Sequence, residues 1–227
     1  MDQKTILEQL KQRVVEGDAA RCAELTLAAL RGGVDPWVIL NAGLIPGMEE
    51  IGERFQRHEA FVPEMLLSAR AMSRALELLK PVIGTSEKHY RGKVVIGTVK
   101  GDLHDIGKNL VSMMLEGAGF QVIDLGVDVG VDRFLDAVRR ERPHVLAMSA
   151  LLTTTMPVMG EVVRALEEVG LRGSVKVMVG GAPVSSRFAV EIGADAYGAN
   201  AVEAVALAKS FAASAPVRGD AEVWQNG

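Results

Sequence analysis

The stretch Val94–Gly126, VVIGTVKGDLHDIGKNLVSMMLEGAGFQVIDLG, decides the fold. Its start, Val94–Val99, is a short β-branched run. A strand covered on both faces reads this way. Ile106–Glu116 then carries apolar residues at helical spacing, and Gln121–Gly126 is a second apolar run. Strand, helix and strand within about thirty residues make a βαβ unit with parallel strands.

The alternation continues outward from this stretch. Val145–Ala150, Lys176–Gly181 and Ala194–Gly198 read as strands. Val131–Arg140, Val158–Val169, Ser186–Ile192 and Ala201–Ala212 read as helices. Apolar strands alternating with helices predict a parallel sheet covered on both faces. Five strands suit the flavodoxin-like order 2-1-3-4-5.

Residues 1–80 have a different texture and read as helices throughout. Ile6, Leu7, Leu10 and Val14 form one apolar stripe, ended by Gly17-Asp18. Cys22, Leu25, Ala29 and Leu30 form a second, stopped by Gly32-Gly33. Asp35-Pro36 supplies a capping side chain and a proline at the first helical position. Leu44, Met48, Ile51 and Phe55 follow on one face, with Pro46 predicting a kink or a fresh start. Pro63 opens a fourth helix, with Met65, Leu66, Ala69, Met72, Leu76 and Leu79 on one face. The expected fold class is therefore α/β: an N-terminal four-helix bundle (1–80), a linker (81–91), a flavodoxin/Rossmann-like five-stranded parallel sheet domain (92–213) and a polar tail (214–227).

Composition narrows the function. The 227 residues are 48% hydrophobic and 24% charged, which supports a packed core and argues against dominant disorder. Lys+Arg 25 against Asp+Glu 29 gives −4, and aromatics are only 4%, so nucleic acid is not an expected partner. A single cysteine, Cys22, excludes a disulfide framework and a cysteine-rich metal site. No apolar run approaches the roughly 20 residues needed to cross a bilayer. The N-terminus is charged and periodic, unlike a signal peptide, and a cytoplasmic location is expected.

In such a sheet, ligands bind beyond the carboxyl ends of the strands, near the switch point. The loop after the first strand, Lys100–Asn109, is the most distinctive there. Histidine is the commonest metal ligand, and its second ring nitrogen usually donates to a carboxylate. Asp102 stands two residues before His104, and Gly107 lets a bulky group approach the backbone. On its own, Asp-x-His also reads as a solvent-facing loop. Of the other histidines, His58 sits in a helix connection, His89 in the linker, and His144 at the opposite edge of the sheet. A multi-ligand zinc site lacks partners, so one histidine suffices only if a cofactor brings the other ligands.

Asp102-x-His104-x-x-Gly107, within GDLHDIGKN, resembles the cobalamin-binding signature of corrinoid proteins and of cobalamin-dependent methionine synthase. Ser149-Ala150-Leu151-Leu152-Thr153-Thr154-Thr155 is similar to that family's Ser-x-Leu loop, and Gly180-Gly181-Ala182 to its Gly-Gly motif. The resemblance implies that His104 takes the lower axial position on cobalt after the cofactor's own dimethylbenzimidazole has left it. Asp102 would accept the other ring N–H, and Thr155 would hydrogen-bond Asp102. Gly180 and Gly181 would clear a slot for the displaced nucleotide tail, with Ser149 and Thr153 offering hydroxyls. Without the resemblance, the glycines also fit a tight strand–helix turn, and Ser149 and Thr153 fit helix caps. Gly101, Leu103, Asp105, Leu151 and Ala199 complete the implied cofactor-binding set.

The helical half extends the likeness over nearly the whole chain. Met48, Phe55, Phe61-Val62-Pro63, Ala69 and Met72 resemble the cap bundle that precedes the cobalamin module in methyl-transferring members. Phe61, Met65 and Met72 are candidate lid residues over the upper corrin face, and each also fits plain bundle core. The implied function is a methyl carrier with cobalamin or a related corrinoid as cofactor. The implied partners are a substrate-specific methyltransferase, an acceptor methyltransferase and a reductive activation protein.

Three rivals share the fold. A cobalamin-binding sensor would need an output element that residues 1–80 do not resemble. A phospho-receiver would need an aspartate ending the third strand, where this chain has Ser149-Ala150-Leu151. The cobalamin subunit of a carbon-skeleton mutase would lack the cap bundle.

Overall fold

Five apolar runs become five parallel strands: β1 (Lys93–Thr98), β2 (Gln121–Asp124), β3 (Val145–Ser149), β4 (Lys176–Gly180) and β5 (Ala196–Gly198). Their order in the sheet is β2-β1-β3-β4-β5, as expected. The computed structural model describes residues 2–83 and 90–214; His89 and the tail beyond Ser214 lie outside them. β3 and β4 end one residue before their predicted runs do, and β2 and β5 are two residues shorter than theirs. Gly126 turns with φ 83° beyond β2, and Ala194 closes the turn after Glu191 by donating to the Ala189 carbonyl.

The chain divides into two compact units, Met1–Tyr90 with Met113–Phe120, and Arg91–Ser112 with Gln121–Gly227. In the helical unit, α1 (Gln3–Val15) and α2 (Ala19–Arg31) begin at the side chains of Asp2 and Asp18, which accept from the amides of Thr5 and Arg21. Asp35 caps α3 (Pro36–Val38) in the same way through Trp37 and Val38. The expected break near Pro46 takes the form of a π-helical turn, Ile39–Leu44, in which Ile45 N–H donates to the Leu40 carbonyl. Wider turns of this kind absorb a disrupted hydrogen-bond ladder. The chain then continues as α4 (Ile45–Gln56), with Pro46 in its first turn, where no amide is missed. The last helix, α5 (Val62–Ile83), runs three residues past its expected end and carries Pro81 in its final turn. Leu10, Val14, Ile39, Leu44 and Leu79 are fully enclosed in this unit. Cys22 is enclosed with them, and burial beside Asp18 pushes its thiol up to about 12.

In the sheet unit, the two faces of each strand have different duties, because side chains alternate. Val95, Leu146 and Val177 pair in register across β1, β3 and β4. They pack with Phe134 and Val138 of α7 (Val131–Glu141) and Val162 and Leu166 of α8 (Pro157–Glu168). The alternate residues Ile96, Ala147 and Met178 face the other side. There, α6 (Ile106–Gly117) and α10 (Ala201–Ser214) border an open cleft. A short α9 (Ser186–Glu191) precedes β5. His144, at the start of β3, accepts from the Lys93 amide through Nδ1 and ties two strand beginnings together.

Candidate functional site

The cleft has a volume of about 670 Å³ and lies at the carboxyl ends of β1, β3, β4 and β5. Strands β1 and β3 are neighbours whose following helices depart in opposite directions, which makes this the switch point of the sheet. Its floor is apolar, formed by Ile96, Ala147 and Met178.

Asp102 anchors the loop after β1 and is fully buried. Its Oδ2 accepts from Leu151 N–H (2.7 Å), Leu152 N–H (3.2 Å) and the Thr155 hydroxyl (3.0 Å). Its Oδ1 accepts from His104 N–H (3.1 Å) and stands 2.7 Å from His104 Nδ1. Burial alone would raise this carboxyl. The hydrogen bonds from Leu151, His104 and Thr155 outweigh it and hold the group well below the usual carboxylate range. Asp102 is thus a charged acceptor, and an acceptor-only partner draws the ring proton of His104 to Nδ1. The lone pair is then left on Nε2. The imidazole is 51% exposed and borders the cleft, and no hydrogen-bond partner meets Nε2 among the described residues.

Two positioning contacts have no signature in the local sequence. The Thr98 hydroxyl donates to the His104 carbonyl (3.0 Å). Asp128, from the loop after β2, accepts from Gly101 N–H (2.7 Å) and donates its own N–H to the Asp102 carbonyl (3.0 Å). Threonine in a strand and aspartate in a loop are too common to single out; only the fold brings them to the histidine. Lys108 was also missed. It is a buried cation paired with Asp124 and bonded to Asn109 Oδ1 (2.6 Å), fastening the start of α6 to the end of β2.

The remaining sequence candidates fall into groups. Leu103, Asp105, Gly107, Ser149, Leu151, Gly180, Gly181 and Ala199 all border the cleft with His104. Gly101 and Thr155 do not border it: the Thr155 hydroxyl holds Asp102, and the Gly101 N–H donates to Asp128. Thr153 is exposed on the loop after β3 and does not border the cleft, because that loop turns Leu151 toward it instead. The two glycines differ in duty. At Gly181 (φ 124°) a Cβ would stand 1.9 Å from the Ala150 carbonyl oxygen, so backbone packing already demands glycine there. At Gly180 a Cβ would be 3.0 Å from the Gly198 carbonyl oxygen. At Gly107 it would meet nothing within 4 Å, so the space beside the helix start is open.

The lid candidates are divided. Met65 and Met72 are 2% and 0% exposed and belong to the core of the helical unit, with Met72 packed toward Gly117. Their spacing follows helical burial. Phe61 is 62% exposed and presents its ring to solvent.

Comparison with known proteins identifies the family. A profile described as "B12 binding domain" matches residues 92–206, and a second of the same description matches residues 6–80. The chain is 40% identical over 211 residues to trimethylamine corrinoid protein 1 of Methanosarcina mazei, covering 92% of this chain and 98% of that one. It is 41% identical over 216 residues to dimethylamine corrinoid protein 1 of Methanosarcina acetivorans, covering 94% and 100%. Among solved structures, it is similar to the methanol:cobalamin methyltransferase complex MtaBC of Methanosarcina barkeri, with a TM-score of 0.83 and 32% identity over 94% of this chain and 82% of that one.

The cleft suits a corrinoid on its own geometry. Among the described residues, no group of three His, Cys, Asp or Glu side chains could hold a bare metal ion. One imidazole is enough when the metal arrives in a ring that supplies the other ligands. Leu103 (71% exposed), Ile106 (82%) and Leu151 border the cleft with His104 as exposed apolar side chains, which a large flat ring would cover. No described helix is long and apolar enough to cross a membrane. The chain belongs to the corrinoid-binding methyl-carrier proteins.

Proposed function

We propose that this chain carries a methyl group between a substrate-specific methyltransferase and an acceptor methyltransferase, with His104 as the lower ligand of the cofactor's cobalt. When bound, the corrinoid supplies a cobalt centre that accepts and releases the methyl group. The chain's residues bind, orient and tune that centre. Asp102 keeps the proton on Nδ1 of His104, which leaves Nε2 basic and directed by a charged partner. Thr155 and the amides of Leu151 and Leu152 hold Asp102 ionised and still. Gly180 and the apolar floor leave room for the displaced nucleotide tail, and Ser149 offers a hydroxyl at its edge.

Phe61, the exposed aromatic among the lid candidates of the helical unit, would be the residue to shield the bound group. The family match to residues 6–80 supports this role. A reductive activation protein would be the third partner. The methyl donor is bound by the partner enzyme, so the choice among methylated amines, methanol or related donors resides there.

The observation that carries this reading is the Thr155–Asp102–His104 chain ending at an unpartnered Nε2 beside the cleft. The test is the visible spectrum of the chain reconstituted with cobalamin. Wild type shows the lower base displaced and a histidine in its place, and His104→Ala loses that signature. Identical spectra for the two would refute the assignment.

A further inference from the structure

We infer that Asp128 is a positioning residue for the lower ligand, acting through the main chain of Asp102; this rests on the reading of His104 given above. Asp102 is held twice. Its carboxylate is fixed by the loop after β3, and its main chain is held by the Val99 carbonyl, which accepts from the Asp102 N–H (3.1 Å), and by Asp128. The Asp128 carboxylate accepts from Gly101 N–H at 2.7 Å, and the Asp128 amide donates to the Asp102 carbonyl at 3.0 Å. The Lys100–Gly101 and Asp102–Leu103 peptide groups are thereby both tied to Asp128, while the peptide between them is held by the Asp102 N–H, which donates to the Val99 carbonyl. Just beyond, Val129 N–H donates to the Thr98 carbonyl (2.9 Å), and Val99 bridges Val129.

The clamp has a conformational cost. Asp128 adopts φ 52°, a region that side chains other than those of glycine, asparagine and aspartate rarely enter. Gly101, its partner, has φ 83° and no Cβ to restrict it. Its own N–H is fastened by the Asp128 carboxylate. Without that carboxylate the Lys100–Gly101 peptide is free to turn, and Asp102 shifts about its remaining main-chain bonds to Val99 and residue 128 while Oδ2 stays tied to Leu151 and Thr155. The carboxylate then rotates about that tie, and Oδ1 moves away from Nδ1. The consequence reaches the cofactor through the orientation and proton of His104.

Two substitutions separate acceptor from backbone. Asp128→Gly keeps the positive φ accessible and deletes the acceptor. Asp128→Asn keeps an Oδ1 acceptor and tolerates the same φ. In the cofactor-free chain, 15N shifts of the His104 ring report which nitrogen carries the proton, and amide exchange reports Gly101. Asp128→Gly is expected to mix the two ring tautomers and speed Gly101 exchange. It should also weaken cobalamin binding about tenfold, the low end of what losing an outer hydrogen-bond partner costs a metal site. Asp128→Asn is expected to match wild type in all three.

Should Asp128→Gly not fold, Asp128→Ser takes its place, read by the His104 ring shifts and not by stability because φ 52° strains a serine; its hydroxyl ends one bond short of Gly101. A Gly or Ser variant with the wild-type tautomer and affinity within twofold overturns the inference. So does an Asn variant that behaves as Gly does. If wild type itself binds cobalamin without a histidine ligand, the proposed function fails, while the ring shifts of the cofactor-free chain still decide the role of Asp128.

Discussion

Replacing Asp102 by asparagine tests the centre of the site without changing its size. The amide oxygen can serve only one side of the former carboxylate. Three donors converge on Oδ2 and two on Oδ1, so the oxygen takes the Oδ2 position. The amide NH2 then faces His104. The imidazole can respond by moving its proton to Nε2 and accepting at Nδ1, which removes the lone pair that would meet cobalt. The His104 main-chain N–H has no such escape and loses its acceptor. An unpaired buried donor costs about 1–3 kcal/mol, and weakening three charge-assisted bonds to neutral ones brings the total to roughly 3 kcal/mol. For a chain of this size, that lowers Tm by about 6–12 °C. Thermal unfolding of the cofactor-free chain measures the loss, and a cobalamin titration is expected to show affinity reduced by about 10–100-fold. A variant that unfolds within about 2 °C of wild type and still shows a histidine-ligated spectrum would refute the reasoning.

Other outcomes follow from the same geometry. Gly181→Ala drives a Cβ into the Ala150 carbonyl and is expected to leave the chain unfolded or cut Tm severely, read by circular dichroism. Gly180→Ala meets a single backbone oxygen at 3.0 Å and is expected to fold with a milder loss but to bind cobalamin more weakly, because its methyl enters the cleft wall. Burial would raise the Asp195 carboxyl, but the Val177 amide, the Lys176 ammonium and the Arg172 guanidinium hold it below the usual aspartate value. A depressed folded value gives stability that is present above the unfolded value and lost as pH falls through the folded one. The Tm advantage of wild type over Asp195→Asn is therefore expected to be full at pH 7 and to shrink below about pH 4. An advantage that grows toward acid would contradict this.

The parallel sheet was legible because strands covered on both faces are largely apolar, as Val94–Val99 and Val145–Ala150 are but for Thr98 and Ser149. The carboxyl ends of those strands then located His104 before any contact was known. Other features are not written locally. Asp128 reaches Gly101 across 27 residues, and nothing around it in sequence distinguishes it from a solvated loop aspartate. A glycine announces missing volume but not what fills it; at Gly181 the occupant is the protein's own backbone. Met65 and Met72 show how a helical stripe hides its purpose, since core and lid residues share one spacing. The π-helical turn before Pro46 leaves no periodic mark because it is only six residues long.

The state of Cys22 has a chemical consequence for a protein that transports a one-carbon unit. Sulfur attacks alkyl groups as the anion, and a thiol pushed up to about 12 by burial is almost wholly protonated near neutral pH. It is also walled off from solvent. The sole sulfhydryl of the chain is thus chemically silent, and the cargo cannot be lost by self-alkylation there before an outside acceptor collects it.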